Sequence, residues 1–209
     1  MPVKKLIVGL GNPGPEYRGQ RHNVGFLLVE HLADAWGLSF QGRKHQSRFA
    51  RGRVEGVDLV LVQPQTFMNA SGDAVRDWVA YEGLDPSRDL VVVCDEMQLP
   101  LGRLRLRPGG SAGSHNGLKS IIQRLGGQDF PRLRVGVDKP ARASQWADWV
   151  LSDFRKEERE ALRLSFEAAG RGLALWLKEP SLEKVMSKIN AGPERPAGDG
   201  REGGERGWK

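Results

Sequence analysis

Two short apolar runs constrain the fold of this chain more than any other feature. Leu6-Ile7-Val8-Gly9-Leu10 and Leu90-Val91-Val92-Val93-Cys94 are too short for core helices and carry no polar side chain, so each reads as a buried strand. Polar residues follow both. After the first comes Gly11-Asn12-Pro13-Gly14-Pro15, where two prolines forbid an immediate helix, so the loop stays open at the carboxyl end of the strand. After the second come Asp95 and Glu96.

Helical spacing lies between the strands. Phe26, Val29, Ala33 and Trp36, joined by Leu28 and Leu32, predict a helix from about Val24 to Trp36 that ends at Gly37. A second helix is expected from Ser71, as N-cap, to Gly83, with a turn at Asp85-Pro86-Ser87. A third spans Asn116 to Leu125 and closes on Gly126-Gly127. Arg48–Val54 and Val57–Val62 form a hairpin through Glu55-Gly56, Leu101–Arg107 alternates like an edge strand, and Leu133–Val137 is the last strand. From Trp146 onward the apolar spacing is helical through Trp176. Alternating strands and helices within 209 residues imply a single-domain α/β three-layer sandwich, with a mixed, mostly parallel central sheet and helices on both faces. Its functional crevice belongs outside the carboxyl ends of the strands. The domain is expected over residues 1–191; residues 192–209, rich in glycine, proline and balanced charge, are expected to be a disordered tail.

Several function classes fall away. The single cysteine, Cys94, forbids a disulfide framework and suits a reducing compartment, and its apolar run makes it a poor nucleophile. No stretch approaches the roughly 20 apolar residues of a membrane span, and the first residues lack a signal-peptide core, so a cytoplasmic location is expected. Gly9-Leu10-Gly11-Asn12-Pro13-Gly14 fits GxGxxG, but Pro15 prolongs the loop where a dinucleotide site needs a helix. In Gly117-Leu118-Lys119-Ser120, Leu118 breaks a P-loop by one residue, leaving a glycine-rich turn into a helix start suited to a phosphate or oxyanion. The four histidines have no metal-ligand spacing, and no GxSxG supports a serine nucleophile.

Charge points to a phosphate-bearing partner. The formal net charge is +6, and between Leu101 and Gln145 nine basic side chains face only Asp129 and Asp138. A solvated face would look the same, so the patch alone also fits a noncatalytic RNA-binding module. Chemistry centres on His22, at the start of the first helix, where the positive dipole end favours a neutral, basic ring. Asn12, Asn69 and Asp95 collect where other buried strands end. Asp95 could accept the imidazole Nδ1–H and fix its tautomer.

The residues now in view resemble the bacterial peptidyl-tRNA hydrolase family. The likeness lies in Ile7–Gly14, Tyr17, Arg21–Phe26, Pro64–Gly72, Asp95-Glu96 with Leu99-Pro100, and His115–Ser120, and it runs from about Leu6 to Asn190. It implies a monomeric α/β enzyme that frees tRNA from peptides dropped by stalled ribosomes, with no metal or organic cofactor. By this resemblance His22 is the catalytic base, Asp95 its supporting carboxylate, and Asn12 the residue that places water and distinguishes blocked from unblocked aminoacyl groups. Tyr17, Phe67, Asn69 and Asn116 correspond to positions that hold the acyl and terminal-nucleotide end. Gln98, Ser114 and Asp138-Lys139 depart from the residues usual in the family, which touches contacts to the tRNA backbone and no catalytic position.

The expected reaction is attack of a water, deprotonated by His22, on the ester between a peptide and the terminal ribose of tRNA, with Asn12, Asn69 and Asn116 orienting water and carbonyl. Arg103, Arg105, Arg107, Lys119 and Arg134 are expected on the acceptor-stem phosphates, and the CCA end at the crevice.

Overall fold

Neighbouring residues of strand β1 (Lys4–Gly9) serve two different cores: Leu6 and Val8 face one, Ile7 the other. This strand lies at the centre of the structure, a computed structural model that describes residues 4–192. Among the described residues it joins β2 (Gly42–Lys44), β3 (Ser47–Val54), β4 (Val57–Pro64), β5 (Leu90–Glu96), β6 (Leu104–Arg107) and β7 (Arg132–Gly136) in one sheet, in the order β2-β3-β4-β1-β5-β7-β6. Strands β4, β1, β5 and β7 are mutually parallel, while β3 opposes β4, β2 opposes β3 and β6 opposes β7. The sheet is therefore mixed and mostly parallel, as expected.

Helices cover both faces. Leu28 and Leu32 of α1 (Val24–Ala35) pack with residues of the two last helices against Ile7, Val91 and Val93. The opposite face, with Val8, Val62 and Val92, is covered by α2 (Ser71–Glu82) and by α4 (Asn116–Leu125), which follows the short α3 (Pro86–Asp89). The C-terminal helical part divides into α5 (Trp146–Val150), α6 (Arg159–Lys178) and α7 (Leu182–Asn190), a division the apolar spacing did not reveal.

Local differences from expectation have local causes. Ser71 is not the N-cap of α2: a 3-10 turn over Met68–Ala70 leads into the helix, and Ser71 Oγ donates to Met68 O at 2.9 Å. β5 runs past Cys94, because Asp95 and Glu96 pair with Val135 and Gly136 of β7. β2 escapes the sequence because its turn into β3, His45-Gln46, adopts left-handed φ values of 47° and 51° without a glycine. The Glu55-Gly56 hairpin, with φ of 50° and 80°, is the one expected. Of the expected tail, all but Gly192 lies outside the described residues.

One close approach sets the position of the site. A methyl group at Gly25 would lie 2.5 Å from both N and O of Leu10 and 2.6 Å from Val93 O. Glycine thus lets the first turn of α1 rest directly on the carboxyl ends of β1 and β5.

Candidate active site

The residue pair expected to carry the chemistry is in contact. His22 sits on a 3-10 turn, Arg21–Asn23, that leads straight into α1. Alternation along β5 puts Val91, Val93 and Asp95 on the face that α1 covers. His22 Nδ1 lies 2.8 Å from Asp95 Oδ1. The same oxygen is 3.0 Å from Nε2 of His115, the N-cap of α4.

Hydrogen bonding assigns the protons. The Leu118 amide donates to His115 Nδ1 at 3.3 Å, so the His115 proton resides on Nε2 and points at Asp95. His22 donates from Nδ1 to the same oxygen, which leaves the lone pair of its Nε2 for chemistry. The two rings are tilted, with centroids 5.1 Å apart. The side chain of Asp95 is only 5% exposed and that of His22 14%, and both line the same cleft.

Burial disfavours charge at both His22 and Asp95, yet contact reverses it. For Asp95, burial pushes the pKa up, but the facing His115 and His22 rings outweigh it and hold the carboxyl well below the usual range. For His22, burial pushes the pKa down, but the Asp95 charge and hydrogen bond prevail and raise it above 6.5. The helix dipole had suggested the opposite sign. The ring precedes α1 on its own turn and meets a full carboxylate charge, a stronger influence than a partial one.

Ligand atoms of His22, Asp95 and His115 all lie within 4.8 Å of one another, near enough for a metal cluster. The proton pattern argues against that use. A metal at His115 Nε2 would need the ring proton moved to Nδ1, and the Leu118 N–H already points at that nitrogen.

The remaining predicted site residues follow the carboxyl ends of β1 and β4 or open α4. Asn12 Oδ1 accepts from Met68 N at 2.9 Å, which fixes the amide, and its backbone N–H and C=O are both bound by the buried side chain of Asn23, each at 2.9 Å. Asn116 opens α4 and lines a cleft of about 580 Å³ with His22, Asp95, His115 and Trp146. Asn69 is exposed on the turn packed against α4 and makes no hydrogen bond among the described residues. Tyr17 and Phe67 meet edge to face, ring centroids 6.3 Å apart, with Phe67 58% exposed. Cys94 is buried and its thiol pKa is pushed up, chiefly by burial, so it is inert as expected.

The predicted basic residues separate into two groups. Arg103 donates to the C-terminal carbonyls of α7, Asn190 O at 2.6 Å and Ala191 O at 3.1 Å, and Arg134 pairs with Glu96 at 2.6 Å. Arg105, Arg107 and Lys119 are exposed, and the side chains of the first two have no hydrogen bond or ion pair among the described residues. Arg132, within the same basic segment, is wholly buried and donates to Gly110 O, Ser111 O and Gln128 O, holding the glycine-rich loop before α4.

Sequence reasoning passed over two residues. His115 stood within a recognised motif but was given no role, and Arg21 gave only its neighbourhood to His22. Arg21 is 1% exposed, stacked on Trp149 at 4.0 Å, and bound to Glu158, Ser152 Oγ and Val137 O.

A doubly wound α/β sheet with an imidazole, a carboxylate and a second imidazole gathered near the carboxyl ends of its central strands has the layout of a hydrolase site built on acid–base side chains. Comparison with known proteins narrows this. The chain matches the profile of the family described as peptidyl-tRNA hydrolase over residues 6–197. It is 43% identical to the peptidyl-tRNA hydrolase of Brevibacillus brevis over 187 residues, 90% of this chain and 98% of that one. It is 44% identical to the one from Halalkalibacterium halodurans over 186 residues, 89% and 100% of the two chains. The crystal structure of the Acinetobacter baumannii enzyme superposes with a TM-score of 0.84 at 35% identity, covering 90% of this chain and 95% of that one. The chain belongs to the peptidyl-tRNA hydrolase family.

Proposed function

We propose that this chain hydrolyses the ester between a peptide, or an N-blocked aminoacyl group, and the terminal ribose of tRNA, with His22 as general base. The observation that carries the mechanism is the 2.8 Å contact between His22 Nδ1 and Asp95, which leaves Nε2 as the basic nitrogen. Nε2 takes a proton from water as the oxygen attacks the ester carbonyl carbon. Asp95, itself braced by His115, stabilises the imidazolium. Negative charge on the carbonyl oxygen is met by amide N–H donors. Asn12 suits that task because its Oδ1 is already engaged by Met68, which leaves Nδ2 to donate; Asn69 and Asn116 complete the set. The tetrahedral intermediate then breaks its bond to the ribose oxygen, which takes the proton back from His22, giving a peptide carboxylic acid and free tRNA.

Tyr17 and Phe67 supply an aromatic corner for the acyl or terminal-nucleotide end. Arg105, Arg107 and Lys119 suit the acceptor-stem phosphates, while Arg103 and Arg134 have internal partners that make them secondary. None of the described helices is long and apolar enough to cross a membrane. We take the enzyme to act in the cytoplasm as a monomer, on peptidyl-tRNA released from stalled ribosomes. The deciding experiment follows release of an N-acetylaminoacyl group from tRNA with EDTA present. His22→Ala should lose about 10² to 10⁴ in kcat with little change in tRNA affinity. Undiminished turnover by that variant would refute the mechanism.

A further inference from the structure

We propose that the cavity beyond Asn12, between α1 and the β2–β3 hairpin, receives the peptide residues that precede the esterified one, and that it favours acidic side chains there. This rests on the function just proposed.

The sheet order gives the direction. The exposed Arg105 and Arg107 lie on β6, at one edge, and Asp95 lies on β5, two strands inward. Asn12 follows β1, the next strand across. The scissile ester joins ribose on one side to peptide on the other. A tRNA stem over the β6–β7 edge therefore directs the peptide across Asn12 towards β4, β3 and β2.

A cavity of about 630 Å³ lies on that path, and Asn12 and Asn23 form part of its wall. Its volume falls in the range of ordinary ligand sites, roughly 300–1,000 Å³. Phe26, Leu27 and Phe40 give it apolar surface for side chains, and Pro13 and Pro15 give it a stiff rim.

Charge sets its preference. Arg18, Arg43 and Arg48 line the cavity against a single carboxylate, Glu30. Glu30 is shared at long range, 4.0 Å from Arg18 and 3.9 Å from Arg48, and it also accepts from Gln63 Nε2 at 3.1 Å. The Arg43 side chain has no hydrogen bond or ion pair among the described residues. Arg48 is held in place: it donates to Oε1 of the buried Gln63 at 3.3 Å and stacks over Phe40 at 5.5 Å. Gln63 is in turn anchored to Phe26 O at 3.2 Å. A concave wall with this excess of guanidinium groups attracts Asp or Glu side chains and repels Lys or a free N-terminal ammonium.

The test uses one tRNA and one esterified residue, presented as N-acetylaminoacyl-tRNA and as two N-acetyldipeptidyl-tRNAs with Asp or Lys in the preceding position. The wild-type chain is expected to show kcat/KM about fivefold higher for Asp than for Lys. Arg43→Gln should shrink that ratio and Arg43→Glu with Arg48→Glu should invert it. Because the readout is a ratio within each variant, a general loss of activity does not imitate the effect. Equal rates for Asp and Lys in the wild type, or a ratio that the variants leave unchanged, would overturn the assignment while hydrolysis itself continued. Failure to cleave even the N-acetylaminoacyl substrate would overturn the parent function as well.

Discussion

One guanidinium nitrogen of Arg21 donates to both carboxylate oxygens of Glu158, at 3.0 and 2.8 Å, immediately beside His22 in the chain. The turn is bound on its backbone too: Arg21 N donates to Ser152 O, and Phe154 N to Gly19 O, each at 3.0 Å. Glu158 stands at the entry to α6, so this buried pair joins the turn of the proposed base to the C-terminal helices. Removing Arg21 leaves the buried Glu158 carboxylate with only Arg155, whose largely exposed guanidinium lies 3.2 Å away and whose backbone N–H donates at 2.7 Å. Arg21→Ala should cost about 3–5 kcal/mol in urea unfolding, whereas replacing both partners, Arg21→Met with Glu158→Leu, should recover much of that loss. A double variant no more stable than Arg21→Ala would show that stacking on Trp149, not the ion pair, dominates.

The raised pKa of His22 gives a pH profile with a definite sign. Its base form exists only above its pKa, so kcat/KM should fall on acidification through a single ionisation whose midpoint lies above 6.5. Asp95→Asn removes the charge that raises the pKa and leaves the burial that lowers it. The midpoint should therefore move down, while the plateau falls because the tautomer is no longer fixed. His115→Ala should move the midpoint the other way, because the Asp95 oxygen then loses a hydrogen-bond donor and its charge acts more strongly on His22. Shifts of the same sign in both variants would be incompatible with a shared carboxylate oxygen.

What the sequence disclosed and concealed follows from the range of the interactions involved. β1, β5 and α4 were legible because an unbroken apolar run or a glycine stop is written locally. That Asp95 lies inside β5 depends on its pairing with Val135, forty residues on, which no local pattern records. Arg132 was counted with the basic segment and Arg21 was given no role of its own, because a single sequence does not show the Gly110–Ser111 carbonyls or Glu158 arriving beside them. For His115 a signal was present: it directly precedes a predicted helix start, where a side-chain acceptor is wanted, and its ring supplies one to Leu118. The sign of the His22 shift was missed because the dipole was visible in the sequence and the 2.8 Å separation from Asp95 was not.

The two groups of basic residues should separate in salt titrations of tRNA binding. If Arg107 meets a phosphate, Arg107→Glu should raise KM, leave kcat unchanged, and reduce the slope of log K against log salt by about 1. Arg103→Ala should scarcely alter that slope. It should lower stability instead, because the carbonyls ending α7 lose their donor. The opposite result, with salt dependence lost at Arg103 and kept at Arg107, would relocate the tRNA contact.

The contact of Gly25 with the strand ends makes the sharpest demand on the backbone. A methyl at this position meets Leu10 N and O at 2.5 Å, and neither can rotate away as a side chain would. Gly25→Ala must therefore lift the start of α1, and with it the turn that holds His22 against Asp95. Destabilisation of about 1–3 kcal/mol is expected, together with a loss of kcat larger than that stability change alone would produce at assay temperature. Gly170→Ala is the matched control: it lies within α6, its added methyl meets only Leu32 Cδ2 at 3.4 Å, and helix propensity favours the change by about 1 kcal/mol. Should Gly25→Ala match Gly170→Ala in both melting and turnover, backbone contact between α1 and the sheet would not be what positions the imidazole.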